Sequence, residues 1–155
     1  MLLDAKWEYV ADTVMGGVSR GRLTDEPVSG RPAHRLTGDV SLENDGGFVQ
    51  MAFDLCPDGG AFDASAFDGV EIDVIGNGEH YDLRLRTTDL VRPWQSFRTE
   101  FRATPEWQSL RLPFAAFAPH KTDAAFDPAA LRRIGILGIG RVFHADVAVA
   151  AARLI

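Results

Sequence analysis

The sequence predicts an all-β protein, an antiparallel β-sandwich or jelly roll with at most one or two short helical turns. Three observations carry this. Apolar and polar residues alternate with period two in run after run, Gly and Pro punctuate those runs, and helical periodicity is nearly absent. Many short strands separated by turn residues fit a sandwich better than alternating strands and helices. At 155 residues the chain forms one domain, 1–155, large enough to bury a core of its own.

The clearest run is Gly69 to Gly76, with Val70, Ile72 and Val74 on one face and Glu71 and Asp73 on the other. Gly76-Asn77-Gly78 reads as a turn into His80 to Thr88, where Tyr81, Leu83 and Leu85 oppose Asp82, Arg84 and Arg86, so the two runs are expected to pair as a hairpin. Trp94 to Arg102 aligns Phe97, Thr99 and Phe101, and Trp107 to Phe114 aligns Leu110 and Leu112 before Pro113 ends the ladder. Ala5 to Val10, Arg35 to Leu42, Gly47 to Leu55, Arg133 to Ile139 and Ala145 to Leu154 are further strands. The best helical signal is Asp127-Pro128-Ala129-Ala130-Leu131-Arg132, an Asp cap followed by Pro at the first helical position.

The net charge of −6 speaks against nucleic acid, whose binders carry the opposite sign to displace counterions from phosphates. The basic residues are almost all arginine, which suits two-point pairing with carboxylates; Lys6 and Lys121 are the exceptions. The single cysteine, Cys56, excludes an internal disulfide and fits a reducing compartment. Met1-Leu2-Leu3-Asp4-Ala5-Lys6 has no basic segment leading into an apolar run, and no stretch approaches the roughly 20 apolar residues of a membrane helix. The expectation is a cytoplasmic protein that does not span the membrane.

Catalytic constellations are missing from the pattern. His34, His80, His120 and His144 stand singly, at no metal-ligand spacing from one another or from Cys56, so neither a metal nor a cofactor is expected. Ser19 and Ser65 lack the small-residue elbow of a serine hydrolase. Gly135-Ile136-Leu137-Gly138-Ile139-Gly140 opens into Arg141-Val142-Phe143 and not into a helix that could hold a pyrophosphate. Glu71 with Asp73 offers a carboxylate pair for hydrolysis, against the plainer reading of a solvated strand face. Asp58 and Asp63 could supply oxygen ligands to a structural calcium in a loop.

Two glycine pairs in apolar surroundings stand out: Asp12-Thr13-Val14-Met15-Gly16-Gly17-Val18-Ser19 and Leu42-Glu43-Asn44-Asp45-Gly46-Gly47-Phe48. With Trp7, Gly38, Asp68-Gly69, Gly76-Asn77-Gly78, Tyr81, Leu83-Arg84-Leu85-Arg86, Phe101, Trp107 and Leu112-Pro113-Phe114 in the same order, the chain resembles, nearly end to end, the complex I intermediate-associated protein 30 family. That resemblance implies a jelly roll of the galactose-binding type and a role as an assembly factor of NADH:ubiquinone oxidoreductase. Its partners would be respiratory subunits or assembly intermediates, met peripherally at the inner membrane. Gly140 to Asp146 departs from the family's usual Gly-Pro-Phe start of the last strand.

The leading expectation is therefore a non-catalytic protein-binding, chaperone-like module. Its contact face would be Arg84, Arg86 and Arg98 with Trp94 and Gln95 at the edge, since arginine and tryptophan anchor interfaces. The alternative role for these arginines is pairing with Glu71, Asp73 and Asp82 across strands. A second hypothesis is a carbohydrate-binding module with Trp94 and Tyr81 as stacking platforms, and a remote third is a carboxylate-dependent hydrolase. The motif residues Asp12, Gly16, Gly17, Ser19, Asn44, Gly46 and Gly47 are read as structural, with Asp12, Ser19 and Asn44 holding two loops together through side-chain bonds to backbone.

Overall fold

The computed structural model describes residues 1–155, apart from the side chains of Val14, Met15 and Asp45, so those three motif positions lie outside the described side chains. The chain forms eleven strands: β1 (Glu8–Ala11), β2 (Arg20–Val28), β3 (Arg31–Val40), β4 (Phe48–Asp54), β5 (Gly69–Gly76), β6 (His80–Thr87), β7 (Ser96–Arg102), β8 (Gln108–Pro113), β9 (Ala118–His120), β10 (Leu131–Ile139) and β11 (Phe143–Leu154). They build two antiparallel sheets, a six-stranded one in the order β1-β4-β10-β6-β7-β9 and a five-stranded one in the order β2-β3-β11-β5-β8. The predicted antiparallel sandwich is thus the observed fold.

Period-two alternation decides which side chains enter the space between the sheets. Val49, Met51 and Phe53 from β4, Leu83 and Leu85 from β6, and Ile134 and Ile136 from β10 meet Leu36, Ile72 and Val147 of the other sheet, all at most 1% exposed. Each such side chain contributes roughly 1.5–3 kcal/mol by leaving water. Trp7 closes one edge, its ring set edge-on to Phe53 at 4.7 Å.

The predicted β5–β6 hairpin is not formed. β5 pairs with β8 and β11, whereas β6 pairs with β7 and β10, so Gly76-Asn77-Gly78 carries the chain from one sheet to the other. The backbone N–H groups of Gly76 and Gly78 donate to Thr104 and Ala103, and Asn77 Nδ2 donates to the His144 carbonyl, so the segment is held by its neighbours in space.

Strands β2 and β9 lay outside the predicted runs. β2 pairs with β3 through the two-residue loop Ser29-Gly30, whose φ values of 44° and 83° match the primed turns that suit the twist of a hairpin. Four 3-10 turns occur, at Asp12–Met15, Glu43–Asp45, Phe114–Ala116 and Pro128–Ala130, more than the one or two expected. The predicted Asp127 cap is present, its carboxylate accepting from Ala129 N at 3.0 Å. Among the described residues, no helix is long and apolar enough to cross a membrane.

Candidate functional site

The two glycine motifs converge on one carboxylate. Asp12 is fully buried; its Oδ1 accepts from Ser19 N at 3.0 Å, and its Oδ2 accepts from Ser19 Oγ at 2.5 Å, Gly47 N at 2.5 Å and Phe48 N at 3.2 Å. Burial pushes the carboxyl pKa up, but these hydrogen bonds outweigh it and hold Asp12 below the ordinary carboxylate value. Ser19 Oγ also accepts from Ser41 N at 2.9 Å and faces the Ser41 carbonyl at 3.2 Å, tying the first loop to the end of β3.

The glycines make room for this lock. A Cβ on Gly17 would stand 2.5 Å from Asp12 Cγ, and one on Gly46 would stand 2.5 Å from Asp12 Oδ2. Gly16 and Gly47 supply positive φ, 87° and 141°, and Gly47 accepts from Gly140 N at 2.9 Å. Asn44 contributes differently from the expectation. It holds a left-handed backbone at φ 56°, and among the described residues its side chain makes no bond.

Phe48, fixed at its N–H by Asp12, opens a groove of about 420 Å³ on the outer face of the six-stranded sheet. Val10, Phe48, Leu137 and Ile139 line its apolar end; Arg84, Arg86, Arg133, His120 and Lys121 make the other end basic, with Pro93, Trp94 and Gln95 as a wall. Gly135 leaves a dip in the floor, filled by the Gln50 amide: a Cβ there would meet Gln50 Nε2. Trp94 is half exposed, with the Arg92 guanidinium 5.8 Å from its ring centre. Trp107, by contrast, is fixed on the other sheet, donating from Nε1 to Val28 O at 3.1 Å beneath Arg31.

Of the residues expected on the contact face, Arg84, Arg86, Trp94 and Gln95 line this groove, and Arg98 lies beside it. Arg84 and Arg98 share the buried Asp82, at 2.9 and 3.2 Å, a single carboxylate between two cations. Glu71 and Asp73 do not pair with these arginines, because β5 is in the other sheet. Asp73 bonds instead to Arg153, Arg31 and Ser109, which overcome its burial and hold it well below the ordinary range. With Glu71 bridged to Arg153, this carboxylate pair is occupied by ion pairs. Asp58 and Asp63 cap their own turns, accepting from Gly60 N and from Ser65.

Tyr81 requires a correction. It points between the sheets at 1% exposure, where its hydroxyl donates to Asn77 Oδ1 at 2.7 Å and accepts from Asp146 N at 2.8 Å. Burial pushes its pKa up to about 12. It cannot serve as a surface platform, since it alternates with Asp82 and Arg84 and shares the face of Leu83 and Leu85.

Several groove residues carried no sequence signal. Arg133 reaches it through a β-bulge, because β10 pairs Leu131 with Thr87 and Arg133 with Arg86, leaving Arg132 as the extra residue. His120 and Lys121 arrive from β9 and the residue after it.

The fold is shared with carbohydrate-binding modules. A family 11 module of the Clostridium thermocellum cellulase Lic26A-Cel5E superposes with a TM-score of 0.79 at 13% identity, over 100% of this chain and 93% of that one. A Clostridium thermocellum family 11 module in complex with a β-1,3-1,4-mixed-linked tetrasaccharide gives 0.76 at 14% identity, over 99% and 94%. A family 30 module gives 0.64 at 17% identity, over 90% and 92%. Comparison with curated protein sequences finds no match. The family model of complex I intermediate-associated protein 30 matches residues 3–146, and with the Asp12 lock built from its glycine motifs the chain belongs to that family.

Proposed function

We infer that this chain is a non-catalytic binding module that holds a protein client during assembly of NADH:ubiquinone oxidoreductase, through the groove on the outer face of the six-stranded sheet. The observation that carries the reading is the groove itself: arginines and a half-exposed tryptophan gathered on an otherwise acidic chain. Family membership supports the assembly context. The client brings the module to the inner membrane from the cytoplasmic side.

Affinity capture on the tagged chain tests this. Respiratory subunits should be recovered with the native chain and lost with Trp94→Ala, and deletion should lower NADH:ubiquinone activity. Recovery of no respiratory subunit together with unchanged activity would overturn it. A second reading, carbohydrate binding, is favoured by Trp94, Gln50 and Gln95 lining the same groove and by the modules that share the fold. A glycan array without signal above background removes it.

A further inference from the structure

Among the described residues, Arg86 is the one groove arginine without a carboxylate; Lys121, the other unpaired cation, is exposed to solvent. Arg86 donates from Nε to the Gln95 carbonyl at 3.2 Å and from Nη2 to those of Arg92 at 3.1 Å and Leu90 at 3.4 Å. These three carbonyls hold the loop that carries Trp94, but they are dipoles, and among the described residues no acid pairs with the guanidinium. Its strand neighbour adds nothing, since Arg133 is committed to Asp54 and Glu8, both at 2.9 Å. Burial and the charges of Arg132 and Arg133 lower the Arg86 pKa, with Asp54 opposing, so the surroundings favour an added negative charge.

The next position in this row is Ser96. β6 and β7 pair Leu85 with Phe97, which sets Arg86 beside Ser96, and β9 brings His120 opposite Ser96. Ser96 lines the groove at 3% exposure, and among the described residues its Oγ has no hydrogen-bond partner. A buried hydroxyl without a partner is costly and rare in native structures. A free hydroxyl donor next to an uncompensated guanidinium is the donor set that a carboxylate satisfies.

We propose that Arg86 and Ser96 form a carboxylate subsite that takes an aspartate or glutamate side chain of the client, with the neighbouring aliphatic residues of that segment lying along Trp94, Phe48 and Leu137. This rests on the reading of the groove as the client surface. A segment carrying one carboxylate fits better than a polyphosphate, whose several charges the chain's net charge of −6 repels more strongly. It fits better than a sugar acid because Val10, Phe48, Leu137 and Ile139 make the far end mainly apolar, with the Gln50 amide among them.

The test uses fluorescence anisotropy with the full chain and three probes: a fluorescein-labelled peptide with one glutamate among leucines and serines, its glutamine twin, and labelled trigalacturonate. The glutamate peptide should bind about tenfold tighter than the glutamine one, and Ser96→Ala should remove most of that difference. Ser96→Ala deletes a hydroxyl with no partner and so keeps the fold, whereas Arg86→Gln also frees the Trp94 loop. A second readout is the His120 imidazole. Burial, Arg84, Arg98 and Lys121 lower its pKa against the opposing charge of Asp82, and a bound carboxylate should raise it. Equal affinity for the two peptides, both lost in Trp94→Ala, overturns the subsite and leaves the client reading standing. Tighter binding of trigalacturonate, lost in Ser96→Ala, overturns the peptide as occupant. Failure of every probe to bind, with respiratory capture undiminished in Trp94→Ala, overturns the subsite and the groove as the client surface together, and recovery of no respiratory subunit with unchanged NADH:ubiquinone activity overturns the client reading itself.

Discussion

Replacing Asp12 by asparagine keeps the shape of the lock and removes its charge. Oδ2 accepts three hydrogen bonds and Oδ1 one, all from donors that the loops cannot redirect to water because Asp12 is fully buried. An asparagine placing its oxygen at the Oδ2 position turns its NH2 towards Ser19 N, leaving one buried N–H without an acceptor, at about 1–3 kcal/mol. The three remaining bonds become neutral and lose about half their strength. The expected destabilisation is about 3–5 kcal/mol, a large fraction of the roughly 5–15 kcal/mol that holds such a domain together. For a chain of this size it should lower Tm by about 10 °C. The assay is calorimetry with urea unfolding followed by tryptophan fluorescence, at neutral pH and in acid. The Asp12 pKa is depressed in the fold, so its stabilisation is present above the unfolded value of about 3.9 and is lost as pH falls through the folded value. The gap between native and Asp12→Asn chains should therefore narrow in acid. A Tm within about 2 °C of native at pH 7, or a gap that does not shrink in acid, would refute the lock.

Gly17→Ala and Gly46→Ala each drive a Cβ to 2.5 Å from the Asp12 carboxyl and should cost about 1–3 kcal/mol by urea unfolding. If Gly17→Ala and Gly47→Ala instead left Tm unchanged and abolished client capture, the loops would be contact surface and not a lock. Arg153→Ala leaves the buried Asp73 with Arg31 and Ser109 and should destabilise by about 2 kcal/mol at pH 7, read by the same unfolding curves. Because Asp73 titrates below its usual range, that difference should fade in acid. Tyr81→Phe strands Asp146 N–H and should cost about 1–3 kcal/mol, with faster amide hydrogen exchange at Asp146 as the local readout.

For the strands that alternation revealed, the buried face was legible and the partner was not. Val70, Ile72 and Val74 and also Leu83 and Leu85 alternate as strands must, and all are buried. Yet β5 and β6 lie in different sheets, because both sheets bury their inner faces in one core and alternation reads the same in either. Tyr81 shows the same limit. Its alternation with Asp82 and Arg84 marked it as inward-facing, and its aromatic ring suggested a surface platform; burial followed the alternation. In the groove, Arg84, Arg86 and Trp94 were visible as polar-face arginines beside an aromatic residue, whereas Arg133, Ser96 and His120 reach it only through pairings of β10, β7 and β9.

The sequence by itself determined the strands other than β2 and β9, their inward-facing residues and the glycine motifs of the family, because backbone period and positive-φ demands are local. Only the tertiary structure decided that Asp12 joins both glycine loops, that Asp82 and not Asp73 faces Arg84 and Arg98, and that Arg86 is left beside Ser96 without a counter-charge. Those outcomes depend on which strands lie side by side, and strand order is settled by long-range closure of two sheets around a shared core.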